Sequence, residues 1–137
     1  MTMVSKEHEG RAYPPARLKP DPDLAARYWR ALGQTPPPAE LPPTYLIFLR
    51  CERLGIDLFT DLNIPREQAL HGGQRYEWLA PIGLNDVLDV HVRIDRVTEK
   101  QSKSGPLWFV DVSFEYRLAD SGQLALREVT RLIKRGA

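Results

Sequence analysis

Trp108-Phe109-Val110-Asp111-Val112-Ser113-Phe114-Glu115-Tyr116-Arg117-Leu118 changes character at every step. Trp108, Val110, Val112, Phe114, Tyr116 and Leu118 fall on one side of an extended chain, and Phe109, Asp111, Ser113, Glu115 and Arg117 on the other. A period of two over this length is that of a half-buried strand with one apolar face. Upstream, Leu88, Val90, Val92 and Ile94 build a matching face. The period predicts strands at 70–80, 86–99, 106–118 and 123–135. Asp120-Ser121-Gly122 predicts a hairpin turn between the last two. A fainter pattern predicts a first strand at 10–19.

Before residue 69 the pattern is different. All but Pro81 and Pro106 of the 12 prolines precede residue 66. Proline is excluded from central strands and helix interiors, so this half is expected to hold short elements with stiff connections. A helix is predicted at 22–32, with Asp21 as N-cap, Pro22 at the first position, Asp23 complementing the dipole and Gly33 as the stop. Leu24, Tyr28 and Leu32 share one of its faces, and Tyr28 and Trp29 are expected to pack it on the sheet. A second helix is predicted at 43–55, opened by Pro42-Pro43-Thr44 and closed by Gly55. Its first half, Tyr45-Leu46-Ile47-Phe48-Leu49, is apolar on every side, and a helix of that kind is buried all round. Four long strands with one apolar face need a cover. The expected fold is therefore α+β, a curled antiparallel sheet wrapped around a long central helix, in one domain spanning 1–137.

Composition narrows the class of function. Lys+Arg is 19 and Asp+Glu is 18, for a net charge of +1. An even balance lacks the basic excess of nucleic-acid or membrane-surface binders, so neither partner is expected. The single cysteine, Cys51, excludes an internal disulfide framework and a cysteine-based zinc site. On a buried helix it is expected to be a small apolar filler. No run approaches the ~18 apolar residues of a membrane span, and Met1–Gly10 lacks the apolar core of a signal peptide. The expected location is cytoplasmic.

Several segments occur in a telling order. They are Ala26-Arg27-Tyr28-Trp29-Arg30-Ala31-Leu32-Gly33, then Pro42-Pro43-Thr44-Tyr45-Leu46, then Leu70-His71-Gly72-Gly73-Gln74-Arg75-Tyr76-Glu77-Trp78. Ala80-Pro81-Ile82 and Phe109-Val110 follow. Over roughly residues 10–135 the chain resembles the N-terminal MaoC-type dehydratase family, also called FAS1-like dehydratase domains. The resemblance implies the hot-dog fold. It also implies hydration or dehydration of acyl thioesters carried on CoA or acyl carrier protein, with no further cofactor and no metal. Active relatives are (R)-specific enoyl hydratases or 3-hydroxyacyl dehydratases.

That chemistry adds water across a C=C bond conjugated to a thioester carbonyl. A base must activate the water, an acid must protonate the α carbon, and fixed donors must hold the developing oxyanion. In active members of the family the acid/base pair is Asp, four intervening residues, then His, in the loop before the central helix. Here that loop reads Gln34-Thr35-Pro36-Pro37-Pro38-Ala39-Glu40, and no histidine lies between residues 9 and 70. Asp86 and His91 match the bare spacing, but in one alternating strand five residues apart they would face opposite ways. Dyad-less members pair with a second hot-dog domain that carries the dyad. The resemblance thus implies a heterodimer or heterotetramer with a catalytic MaoC-like subunit, or a homodimer if the chain acts alone.

The candidate substrate-binding residues are His71, Gly72, Gly73, Gln74 and Tyr76, with His71 also the sole catalytic candidate. Paired glycines permit close approach of a ligand or another backbone, and a branched side chain at Gly73 is expected to obstruct it. Gln74, Tyr76 and Trp78 share a strand face, with Gln74 the candidate for a polar contact. His8, in a polar terminus, and His91 are expected to be solvated. Arg96, Lys100 and Lys103 are minor candidates for CoA phosphates. The leading expectation is a substrate-enclosing subunit of a hydratase or dehydratase. Alternatives are a self-sufficient homo-oligomeric thioesterase or hydratase using His71, and a non-catalytic acyl-thioester binding module.

Overall fold

The computed structural model describes residues 4–43, 45 and 54–136. Five strands form one antiparallel sheet: β1 (Ala16–Leu18), β2 (Ala69–Trp78), β3 (Leu88–Ser102), β4 (Gly105–Leu118) and β5 (Leu124–Arg135). Their spatial order is β1-β3-β4-β5-β2. All four predicted long strands form, within a few residues of their expected ends. The turn at Asp120-Ser121-Gly122 closes the β4–β5 hairpin, with the Gly122 amide donating to the Leu118 carbonyl.

The alternation of β4 survives intact. Val110, Val112, Phe114 and Tyr116 are all fully buried. Across the ladder they face Leu132, Thr130, Glu128 and Leu126 of β5. On β3, Leu88, Val90, Val92 and Ile94 are buried, after which a bulge falls between Ile94 and Arg96. One extra residue reverses the parity, so the next buried position is Val97 rather than an even-numbered one. Burying each of these side chains stabilises the fold by roughly 1.5–3 kcal/mol.

The fainter first strand is real but broken. Backbone hydrogen bonds tie Gly10, Arg11 and Tyr13 to Ile94 and Val92, and β1 then pairs with Leu88–Val90. Pro14 and Pro15 lie between the two paired stretches and have no N–H to give, which confines the segment to an edge.

Helix α1 spans Pro22–Ala31, and the Asp21 side chain caps it by accepting from the Asp23 and Leu24 amides. The expected apolar stripe is only partly used. Leu24 packs on the core and Ala25 is buried, whereas Leu32 caps the C-terminus and is 56% exposed. Trp29 turns to the following loop, where its indole N–H donates to the Glu40 carbonyl at 2.7 Å. His8 also departs from expectation. It is buried beneath a short 3-10 turn, Lys6–His8, where its Nδ1 accepts from the Ser5 amide.

The predicted central helix falls mostly on residues 44 and 46–53, outside the described residues, as does Cys51. At one margin Tyr45 is buried and its hydroxyl accepts from the Asp21 amide at 2.9 Å. At the other, Leu54 packs against the core.

The two glycines of β2 differ sharply. The ladder slips between His71 and Gly73, leaving Gly72 as the bulged residue. A Cβ on Gly72 would lie 2.6 Å from Ile133 Cδ1 and 2.8 Å from its Cγ1, while one on Gly73 would meet nothing within 4 Å. The close approach is made at Gly72 by Ile133, so the expectation placed on Gly73 is corrected. Gly72→Ala should destabilise by about 1–3 kcal/mol through overpacking. Gly73→Ala should be neutral or stabilise by up to ~1 kcal/mol, because it restricts the unfolded chain. Thermal melts of the two variants check this contrast.

Candidate functional site

The parity of β5 places Leu126, Glu128, Thr130, Leu132 and Lys134 on the inner face of the sheet, and all five are buried. Three of them are polar. Burying a polar group without a partner costs free energy, so such groups come with hydrogen bonds. Glu128 is fully buried and Thr130 is 3% exposed.

Their partners come from both flanking strands. The Tyr116 hydroxyl of β4 donates to Glu128 Oε1 at 2.8 Å. The Gln74 amide nitrogen of β2 donates to Glu128 Oε2. The other end of that amide, Gln74 Oε1, accepts from the Thr130 hydroxyl at 3.0 Å and lies 3.0 Å from His71 Nε2. A continuous chain of contacts therefore runs from Tyr116, inside the core, through Glu128 and Gln74 to His71, which is exposed. The bulge at Gly72 brings His71 into line. Without the extra residue, His71 and Gln74, three apart, would point to opposite faces.

The sheet's other face is ordered by charge. Arg127 stands between Glu115 of β4 and Glu77 of β2, at 3.2 and 3.5 Å, and Arg131 pairs with Asp111 at 2.7 Å. The Asp111 carboxylate raises the Arg131 pKa by hydrogen bonding. These exposed pairs fix register more than they add stability.

A second feature lies past the end of β2. Trp29, Glu40, Leu41, Trp78 and Ile82 border an apolar cleft of about 410 Å³. The loop after α1 is docked there by bonds from Leu41 to Ile82 and from Leu84 to Ala39. This loop opens on Gln34, whose backbone amide donates to the Trp29 carbonyl.

Of the predicted residues, His71 and Gln74 join one network. Tyr76 lies on the same face, paired with Glu128 across the ladder and packed on the core. Gly72 and Gly73 shape the strand and offer no side chain. Asp86 is not in a strand. It lies in the turn before β3, where its carboxylate accepts from the Gly83 amide at 2.7 Å, while His91 is exposed on β3. Arg96, Lys100 and Lys103 are exposed, with Lys100 over the Phe109 ring at 5.1 Å. Sequence reasoning missed Glu128 and Thr130. Their signal was parity, since both fall in phase with Leu126 and Leu132.

Comparison with known proteins accounts for this architecture. Residues 27–125 match the model of the FAS1-like dehydratase domain region, and the chain belongs to that family. Its fold is the hot-dog fold of the MaoC-like dehydratases. The chain is similar to a subunit of the HadBC (3R-hydroxyacyl-ACP dehydratase) complex of Mycobacterium tuberculosis, with 18% identity, TM-score 0.69, and coverage of 92% of this chain and 96% of that one. In the ChsH1-ChsH2 complex of the same organism the similar chain has 12% identity and TM-score 0.63, with 92% and 86% covered. HtdX, also from that organism, gives 20% identity and TM-score 0.65. The match takes in 89% of this chain but 51% of HtdX, so this chain spans about half of that relative. No curated protein matches significantly. No helix among the described residues is long and apolar enough to cross a membrane.

Glu128→Leu would remove the acceptor from the Tyr116 hydroxyl and the Gln74 amide together. Each affected donor costs about 1–3 kcal/mol, so the variant should unfold at clearly lower urea concentration. Arg75→Ala, on the exposed side of β2, should shift stability by under ~0.5 kcal/mol. Equal midpoints for the two variants would contradict the role given to Glu128.

Proposed function

We propose that this chain is the substrate-enclosing subunit of an (R)-specific enoyl-thioester hydratase or 3-hydroxyacyl-thioester dehydratase. A partner hot-dog subunit supplies the Asp/His pair. One observation carries the reading: the chain forms the family's sheet, yet its loop Gln34–Glu40 holds neither member of the pair. The similar chains of HadBC and ChsH1-ChsH2 come from complexes, and HtdX is about twice as long as the stretch matched here, which supports a second unit beside this one.

The division of labour follows from the chemistry. The partner's carboxylate and imidazole activate water and move the proton at the α carbon. This chain provides the wall. Its apolar cleft between Trp29 and Trp78 takes part of the acyl chain, and the stretch of β2 where Gln74 holds the exposed His71 ring meets the polar part of the thioester. Among the described residues β2 bonds to β5 on one side, and its other edge is open for a partner strand.

A second reading is a homo-oligomeric thioesterase or hydratase centred on His71. It is favoured by the exposed imidazole and its bond to Gln74. The two readings divide on simple measurements. Light scattering of the purified protein should report an assembly larger than the 15.7 kDa chain across a concentration series. The chain without a partner should hydrate crotonyl-CoA or longer enoyl-CoA at least ~100-fold more slowly than the reconstituted complex, the usual cost of a missing general acid/base. Full turnover by the chain alone, retained after repurification, would establish the homomeric enzyme instead.

A further inference from the structure

We propose that Glu128 is a positioning residue: acting through the Gln74 amide, it holds His71 in the Nε2–H form and leaves the bare Nδ1 of an exposed ring to accept a hydrogen bond from the acyl thioester. The substrate half rests on the proposed function above; the ring's protonation pattern stands on geometry alone.

The logic is one of complementary ends. A carboxylate oxygen accepts, so only the NH2 end of the Gln74 amide fits against Glu128 Oε2. That choice turns Gln74 Oε1 toward Thr130 and His71. A carbonyl oxygen cannot donate, so the nitrogen 3.0 Å away, His71 Nε2, must carry the proton. A neutral imidazole has one N–H, and its second nitrogen is then an acceptor. Tyr116 holds Glu128 from the far side, donating to Oε1 at 2.8 Å, so the carboxylate is braced at both oxygens. Glu128 is fully buried and takes no part in the reaction directly. Its effect reaches the substrate three hydrogen bonds away, by deciding which end of an otherwise reversible amide faces the ring.

The ligand group is a hydrogen-bond donor of the thioester. Two sources share that chemistry: the hydroxyl of a 3-hydroxyacyl chain and an amide N–H of the pantetheine arm common to CoA and acyl carrier protein.

The test has two arms. The first labels the histidines with 15N in the purified protein at about pH 8, above the ordinary histidine range. The chain has three histidines, so His8→Gln and His91→Gln assign the spectrum. His71 should show a fixed Nε2–H pattern with slowed proton exchange, while the exposed His91 shows the average of both tautomers. Glu128→Gln lets the Gln74 amide turn either way and should move His71 toward the averaged pattern of His91. Glu128→Asp, which keeps the charge but withdraws it, is the second variant and should do the same. A wild-type His71 already averaged, or a fixed pattern unchanged in the folded variants, overturns the proposal.

The second arm measures the reconstituted complex. Glu128→Gln should raise KM about two- to ten-fold, the loss of one hydrogen bond, with kcat nearly unchanged. A rise confined to 3-hydroxyacyl-CoA identifies the hydroxyl; a rise shared with enoyl-CoA identifies the pantetheine amide. If the ring responds as expected but KM stays constant with both, the substrate half is overturned, and with it the reading of β2 as the substrate-facing strand.

Discussion

The inner face of β3, β4 and β5 has to be kept from water, and most of the structure follows from that requirement. It is continuous from Leu88 through Val110 and Phe114 to Leu132, with almost no exposure at any position. A sheet with such a face cannot stand as a single layer. The chain meets the need from one side with α1 and with Tyr45 and Leu54, which reach the core. The opposite face carries Arg127, Arg131, Glu115 and Asp111 in cross-strand pairs, and charges in that position make a register slip costly, since it would turn them inward.

Within this apolar layer, Glu128 and Thr130 are exceptions that come at the cost of desolvation. Glu128 is tolerated because Tyr116 and Gln74 stand on the two neighbouring strands at the right height. The polar chain also crosses three strands, which ties the edge strand β2 to the middle of the sheet by side chains as well as by its backbone ladder. An edge strand bonded on one side only is the easiest to peel away, so side-chain anchoring there has mechanical value.

Much of the fold was legible in the sequence because period two is a strong signal where one face is buried. Trp108–Leu118 announces itself, and so does the Asp21-Pro22 start of α1. What was not legible has physical reasons. The bulge at Asp95 is decided by tertiary packing and shifts parity without any local mark, while the glycine pair at 72 and 73 marks a place in β2 without telling which residue bulges. His8 looks like part of a polar tail, yet three residues of 3-10 turn suffice to bury it. Leu32 follows the helical stripe but falls past the last full turn, where the stripe no longer faces the core. At the candidate site, His71 and Gln74 could be picked from the resemblance. Their connection to Glu128 could not, because it joins residues 54 positions apart and depends on strand order.

Among the described residues the sheet's two borders are unequal. One border is β1, three residues long and preceded by Pro14 and Pro15, which have no N–H to offer a neighbour. The other is β2, ten residues long. A chain with one competent border can dock a single strand from outside and no more. Strand addition at that border would join two chains and leave no equal border for a third. Two prolines before a three-residue strand thereby act as a terminator on that side of the sheet.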